Sequence, residues 1–204
     1  MSQAPSNYDR VAGDKYFTPA WVSSALFAVE PFHGGLWDPA GGDGQIVLAA
    51  QAAGMLAFGS DIEPDADFIK PGDFFEVKAG AIWPNIVSNP PYGVQSRLAV
   101  QFIEHSLALT APRGGKVAML LKVGFDSAPG RRRLFADHPA FAAEYRITKR
   151  ILWSNLPPKF DAKGKLMGPT EHHSWFVWDW RLRGGPAVKG YLPGAVRQKA
   201  GPEE

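Results

Sequence analysis

The sequence predicts an α/β domain: a mainly parallel, twisted sheet with helices on both of its faces. Short apolar runs of strand length alternate with helix-like stretches along most of the chain, the pattern of βαβ units. Two of the strand exits carry a glycine-rich or proline-rich turn, at the sheet edge where open α/β folds place ligands. With 204 residues, 45% hydrophobic and 21% charged, the chain suits one globular domain with a sizeable core.

Taken in order, Thr18-Pro19 offers an N-cap and a first helical residue for a helix running to about residue 30. Residues 35–38 read as a short strand ending in a glycine turn, and a small-residue helix follows through residues 46–50. Residues 56–62 and 85–88 read as strands, the second running directly into Asn-Pro-Pro. Residues 97–109 space their apolar side chains as an amphipathic helix, and residues 116–123 form an apolar strand after Gly-Gly. A short helix over 131–137 and two more strands over 144–153 and 174–180 complete the reading. The expected domain is 14–183, with loosely ordered ends at 1–13 and 184–204 on account of their small, polar and Gly/Pro-rich composition.

Composition narrows the chemistry. Without cysteine, disulfides, thiolate nucleophiles and Cys-ligated zinc drop out. No run approaches about 18 apolar residues, and the N-terminus lacks a signal-peptide core, so a cytoplasmic protein without membrane contact is expected. A net charge of +2 permits a nucleic-acid partner without demanding one. His172 and His173 lack a third ligand nearby in sequence and read as packing residues, so no metal is expected.

Asp38-Pro39-Ala40-Gly41-Gly42-Asp43-Gly44 sits where a strand hands over to a helix. Its glycines allow a sharp turn and close approach of a ligand, and Asp38 can accept from an ammonium or a water. Read alone it is equally a capped strand-to-helix turn. Asp61 ends the next strand, 23 residues later, which is the spacing of an acid that holds a ribose hydroxyl pair. Val47 occupies the third glycine position of a dinucleotide fingerprint, so a ribose ligand without a diphosphate fits better. Asp73, in Gly72-Asp73-Phe74-Phe75, can accept from an adenine amino group; read alone the segment is equally a surface turn beside two core aromatics.

Asn89-Pro90-Pro91-Tyr92 carries the strongest signal. Two prolines hold the chain extended and stop the strand from pairing onward, which pins Asn89 at the sheet edge. Its amide oxygen and the Pro90 carbonyl then form two acceptors suited to a planar NH₂ group. Tyr92 offers a flat face for an extruded base, and such stacking contributes about 1–3 kcal/mol. Arg131, Arg132 and Arg133, and Lys159, Lys163 and Lys165 in the long loop before residue 173, are basic clusters able to grip phosphates; ordinary solvated faces are the alternative. Phe160 is a candidate second stacking face.

These residues resemble class I S-adenosylmethionine-dependent amino-methyltransferases, in particular the N6-adenine DNA methyltransferases of small phage type. Tyr16-Phe17-Thr18-Pro19 resembles their motif X, residues 38–44 motif I, Asp61-Ile62 motif II, Asp73-Phe74 motif III and Asn89 to Tyr92 motif IV. The resemblance implies a Rossmann-like methyltransferase domain whose last strand is antiparallel. It implies catalysis by Asn89, Pro90, Pro91 and Tyr92. It also implies S-adenosylmethionine held by Tyr16, Thr18, Pro19, Asp38, Pro39, Ala40, Gly42, Gly44, Asp61, Ile62, Asp73, Phe74 and Asn89. DNA is the expected substrate, with RNA adenine or guanine, or a protein glutamine amide, as alternatives that present the same sp² NH₂. A non-catalytic accessory subunit is a further alternative, opposed by the intact Asn89 and Tyr92. Larger members add a target-recognition domain, so sequence choice here is expected from loops or a partner subunit.

Overall fold

In the computed structural model, residues 15–78, 83–157, 160–165 and 167–193 are described. Among the described residues, eight strands form one sheet. They are β1 (Leu36–Asp38), β2 (Ala57–Asp61), β3 (Lys70–Pro71), β4 (Asn85–Ser88), β5 (Lys116–Lys122), β6 (Phe141–Ile147), β7 (His173–Asp179) and β8 (Val188–Leu192). Their spatial order is β3-β2-β1-β4-β5-β7-β6-β8. Helices α1 (Ala20–Phe27), α2 (Gln45–Ala52) and α3 (Arg97–Thr110) cover it.

Strands β3, β2, β1, β4 and β5 are parallel, and β7 is antiparallel to both β5 and β6. The expected mainly parallel sheet, with the last strand that the sequence predicts running antiparallel, is what forms. Successive side chains point to opposite faces, and both faces are buried. Leu36, Val87, Ala118, Leu120, Trp175 and Val177 pack with Val22 and Leu26 of α1 and Ile46 and Ala50 of α2. Trp37, Ile86, Val117, Met119, Leu121, Phe176 and Trp178 pack with Phe102, Ile103 and Leu107 of α3. The connection β1–α2–β2 therefore lies on one face and β4–α3–β5 on the other, and the switch between faces falls between β1 and β4.

Three expectations are corrected. Pro19, not Thr18, is the N-cap of α1, and no side chain caps that end; Thr18 is buried instead. The strand expected over 144–153 is β6, which starts at Phe141 and leaves the sheet after Ile147. There Thr148 N and Oγ both donate to Leu192 O at 3.1 and 2.9 Å, and Ile151 reaches the core from a loop. The domain does not end near residue 183: β8 pairs in parallel with β6, from Ala143↔Val188 to Ile147↔Leu192. The segments 1–13 and 194–204 lie outside the described residues.

At the sheet edge away from the parallel strands' C-termini, the partly buried Lys116 lies between the buried Glu30, to which it hydrogen-bonds, and the buried Asp179 at 3.3 Å. Tyr145 Oη donates to Glu30 at 2.7 Å. Such a cluster adds little net stability over an apolar core but would cost several kcal/mol to break. It locks the Lys116↔Asp179 register of β5 on β7.

Candidate active site

The carboxyl ends of β1, β2 and β4 bring Asp38, Asp61 and Asn89 to one edge. Asp38 Oδ1 accepts from Ser88 Oγ at 2.8 Å and from Ala40 N at 3.2 Å, which ties β1 to β4. Its Oδ2 is buried with no hydrogen-bond partner. Burial of this residue, only 1% exposed, pushes its carboxyl up to about 7, against the lowering effect of the Ser88 and Ala40 hydrogen bonds.

The turn after Asp38 needs its glycines. Gly42 has φ +48° and Gly44 has φ +81°, a region that costs other residues energy. A Cβ on Gly44 would stand 2.3 Å from the Phe68 ring. Gly42 N donates to Asp61 Oδ2 at 2.9 Å and Glu63 N to Asp61 Oδ1 at 2.9 Å. Asp61 thus holds the glycine turn against the end of β2. Asp73 Oδ1 caps a short 3₁₀ turn by accepting from Phe75 N at 2.8 Å.

Asn89 Nδ2 donates to the Tyr16 carbonyl at 3.0 Å. A carbonyl only accepts, so this contact sets the amide with Nδ2 toward Tyr16 and leaves Oδ1 as its acceptor. Tyr92 carbonyl accepts from Leu98 N and Ala99 N in the first turn of α3. Its hydroxyl accepts from Lys122 N at 2.7 Å, its ring meets Phe125 edge-on at 6.0 Å, and the Lys122 ammonium lies 5.6 Å from its centroid. Tyr92 is accordingly packed on the core of the α3 face, and its hydroxyl pins the loop after β4 to the end of β5.

A cavity of about 320 Å³ opens between these groups, within the size range of small-molecule sites. Of the residues expected to hold a cofactor, Tyr16, Pro39, Ala40, Gly42, Asp61, Ile62, Asp73, Phe74 and Asn89 line it. A smaller adjoining cavity takes Tyr16, Thr18, Asp38, Ala40, Gly42 and Asn89. Pro19 and Gly44 line neither; they are the N-caps of α1 and α2. Of the tetrapeptide, Asn89 and Pro91 reach the larger wall, whereas Pro90 is buried and Tyr92 packs behind it.

The wall also contains Lys15, Glu63, Leu98 and Phe102, which carried no motif signal, and Phe17 and Phe75, which lie inside quoted segments but were assigned no role. Leu98 and Phe102 are legible only as one apolar stripe of α3; that its first turns face a cavity is a tertiary fact. Lys15 Nζ donates to Glu63 O at 2.6 Å and pairs with Asp65 at 2.9 Å.

The basic residues are placed unevenly. The Arg131 guanidinium lies 3.8 Å from the Phe125 ring centroid, one ring away from Tyr92, and donates to Phe125 O at 2.8 Å. Arg132 pairs with Asp137 at 2.8 Å, and Arg133 hydrogen-bonds Glu104. Phe160, Lys163 and Lys165 are exposed; the backbone N–H groups of the two lysines donate to Asp161 Oδ1. Lys159 lies outside the described residues. His172 accepts from Arg150 Nε at 3.1 Å, and His173 is buried, edge-on to Trp153.

No family model matches the chain. No curated protein matches it either. Among solved structures the fold is similar to that of a Pyrococcus horikoshii protein described as a candidate RNA methyltransferase, at 14% identity, over 85% of this chain and 90% of that one, with a TM-score of 0.58. It is also similar to the 1,6-didemethyltoxoflavin-N1-methyltransferase of Burkholderia thailandensis, solved with 1,6-didemethyltoxoflavin and S-adenosylhomocysteine, at 14% identity, over 78% and 77% of the two chains, with a TM-score of 0.51. The architecture is the Rossmann-like methyltransferase fold.

Proposed function

We propose that this chain is an S-adenosylmethionine-dependent methyltransferase acting on the exocyclic N6 amine of adenine in DNA. The observation that carries the reading is Asn89: its amide is turned by the Tyr16 carbonyl so that Oδ1 stands as an acceptor beside a cavity lined by Asp61 and Asp73.

The residues present fit the cofactor. The unpartnered, buried Asp38 Oδ2 suits an ammonium, the strongest partner that a desolvated carboxylate can find. The Asp61 oxygens each accept one backbone N–H and keep lone pairs for a ribose hydroxyl pair. Asp73 suits an adenine amino group, with Ile62 and Phe74 as apolar walls. When bound, S-adenosylmethionine supplies a methyl group on a positively charged sulfur, ready for transfer to a nucleophile. Asn89 Oδ1 accepts an N–H bond of a planar amine, which pulls the nitrogen toward sp³ and raises its lone pair. No strong base is required before attack, because the proton can leave after transfer. Arg131, Lys163 and Lys165 supply positive charge for a nucleic-acid backbone, and sequence choice comes from loops or a partner subunit.

A second reading, methylation of an amine in RNA, draws on the P. horikoshii protein, which is described as a candidate RNA methyltransferase. The discriminating experiment is tritiated-methyl transfer to DNA, RNA and total protein in parallel. N6-methyladenine in digests of DNA is the expected product. Label confined to RNA would replace the first reading with the second, and label confined to protein would overturn both.

Asp61→Ala removes the ribose acceptor and frees the Gly42 N–H. A hydrogen bond to a charged group contributes about 1.5–3 kcal/mol, so affinity for S-adenosylmethionine should fall by about 10- to 100-fold. Unchanged affinity by calorimetry would remove Asp61 from the cofactor site.

A further inference from the structure

Residues 15–18 cross the C-terminal edge of the sheet as a strap, and Tyr16 and Phe17 line both cavities. One side of this strap is held by a residue far away in sequence. Asn155 Nδ2 donates to Lys15 O at 2.8 Å, and Asn155 Oδ1 accepts from Phe17 N at 3.1 Å. In extended backbone, the C=O of one residue and the N–H two residues on share an edge, and the C=O between them faces the opposite edge. One asparagine amide carries the donor and the acceptor that such an edge requires, so Asn155 acts as a one-residue strand partner. The carbonyl left for the other edge is that of Tyr16, and it receives Asn89 Nδ2 at 3.0 Å.

The loop that carries Asn155 is itself anchored. Trp153 packs on the Tyr16 ring at 5.5 Å between centroids and meets His173 of β7 edge-on at 5.2 Å. Ser154 N also donates to Phe17 O at 3.4 Å. At its other end the strap is fastened by Lys15 to Glu63 and Asp65, in the loop after β2. We infer that Asn155 is a positioning residue: it clamps residues 15–17 so that the Tyr16 carbonyl orients the Asn89 amide and the strap closes the cofactor cavity. This inference rests on the reading of Asn89 as the acceptor of the substrate amine.

The test uses the full chain with Asn155→Ala and Asn155→Gln, the latter keeping both amide functions on a longer stem. In Asn155→Ala, hydrogen exchange at the Phe17 amide should accelerate by about tenfold or more, and the Kd for S-adenosylmethionine should rise by about tenfold, the effect of losing one hydrogen bond. On adenine-containing duplex DNA, kcat should fall while the KM for DNA stays close to wild type. Asn155→Gln should recover part of each effect. Melting temperatures of both variants, followed by circular dichroism, establish that the fold is retained. Wild-type exchange at Phe17 together with unchanged cofactor affinity would overturn the inference. An inactive Asn89→Ala beside a fully active Asn155→Ala would also overturn it while leaving the functional reading intact. A loosened strap in Asn155→Ala beside an active Asn89→Ala would overturn the reading of Asn89, and with it the orienting role of Asn155, while leaving its clamp on the strap.

Discussion

Asn89→Ala is expected to reduce methyl transfer to DNA by about 10²- to 10³-fold, the usual effect of removing one preorganised polar group from the site of developing charge, while S-adenosylmethionine still binds. The separation follows from the geometry. In the proposed reading the amide oxygen faces the amine, so its loss removes an interaction that strengthens as the nitrogen becomes positive. The strap that closes the cofactor cavity is still held by Asn155 on its other edge and by Lys15 at its end. A loss confined to kcat with calorimetric affinity retained is therefore the signature of Asn89 acting on the substrate. Turnover comparable to wild type would remove Asn89 from the chemistry.

Affinity for S-adenosylmethionine is expected to rise with pH up to about 7, by about tenfold per pH unit, and to level off above it. Burial holds the Asp38 carboxyl up to about 7 in the cofactor-free protein. Below that pH it is protonated and must lose its proton before it can pair with an ammonium. Calorimetry in buffers of different ionisation enthalpy should accordingly detect proton release on binding near pH 6. Asp38→Asn should abolish this pH dependence and weaken binding throughout. An affinity that is flat from pH 5.5 to 7.5 would exclude Asp38 as the ammonium partner.

The same shift has a stability consequence, with its sign set by linkage. The folded pKa is raised above the unfolded value of about 3.9, so the native state holds the proton more tightly. Asp38 costs the fold nothing below pH 4, and it becomes progressively more destabilising as pH rises through about 7. Its full cost, at most about 4 kcal/mol, applies above that pH. Asp38→Asn should flatten the fall in stability between pH 4 and 7 in denaturant melts. A destabilised, desolvated acid at a ligand edge is an expected trade of stability for binding.

Most of the fold was legible because its signals are local. Strands β1, β4 and β5 are apolar runs bounded by Gly or Pro, and α3 repeats its apolar residues at helical spacing. β8 was not legible for the opposite reason: Val188 and Tyr191 are exposed, so the segment carries no buried periodicity and belongs to the sheet only through its pairing with β6. The limits of β6 misled because Ile151 is a core residue that reaches the interior from a loop. Apolar identity reports burial, and it does not report whether the buried residue is paired in a sheet.

The candidate site divides along the same line. Sequence by itself determined that Asp38, Asp61 and Asn89 stand at strand ends, because glycine and proline punctuation and the spacing between acids are properties of adjacent residues. Only the tertiary structure decided what those groups can do. The orientation of Asn89 comes from a carbonyl 73 residues away, and that carbonyl is presented by Asn155, 138 residues beyond Phe17. The Tyr92 hydroxyl is committed to Lys122, and the charge of Asp38 is set by how completely neighbouring elements exclude water. Hydrogen-bond partners and desolvation depend on which distant segments meet, and no local pattern encodes that.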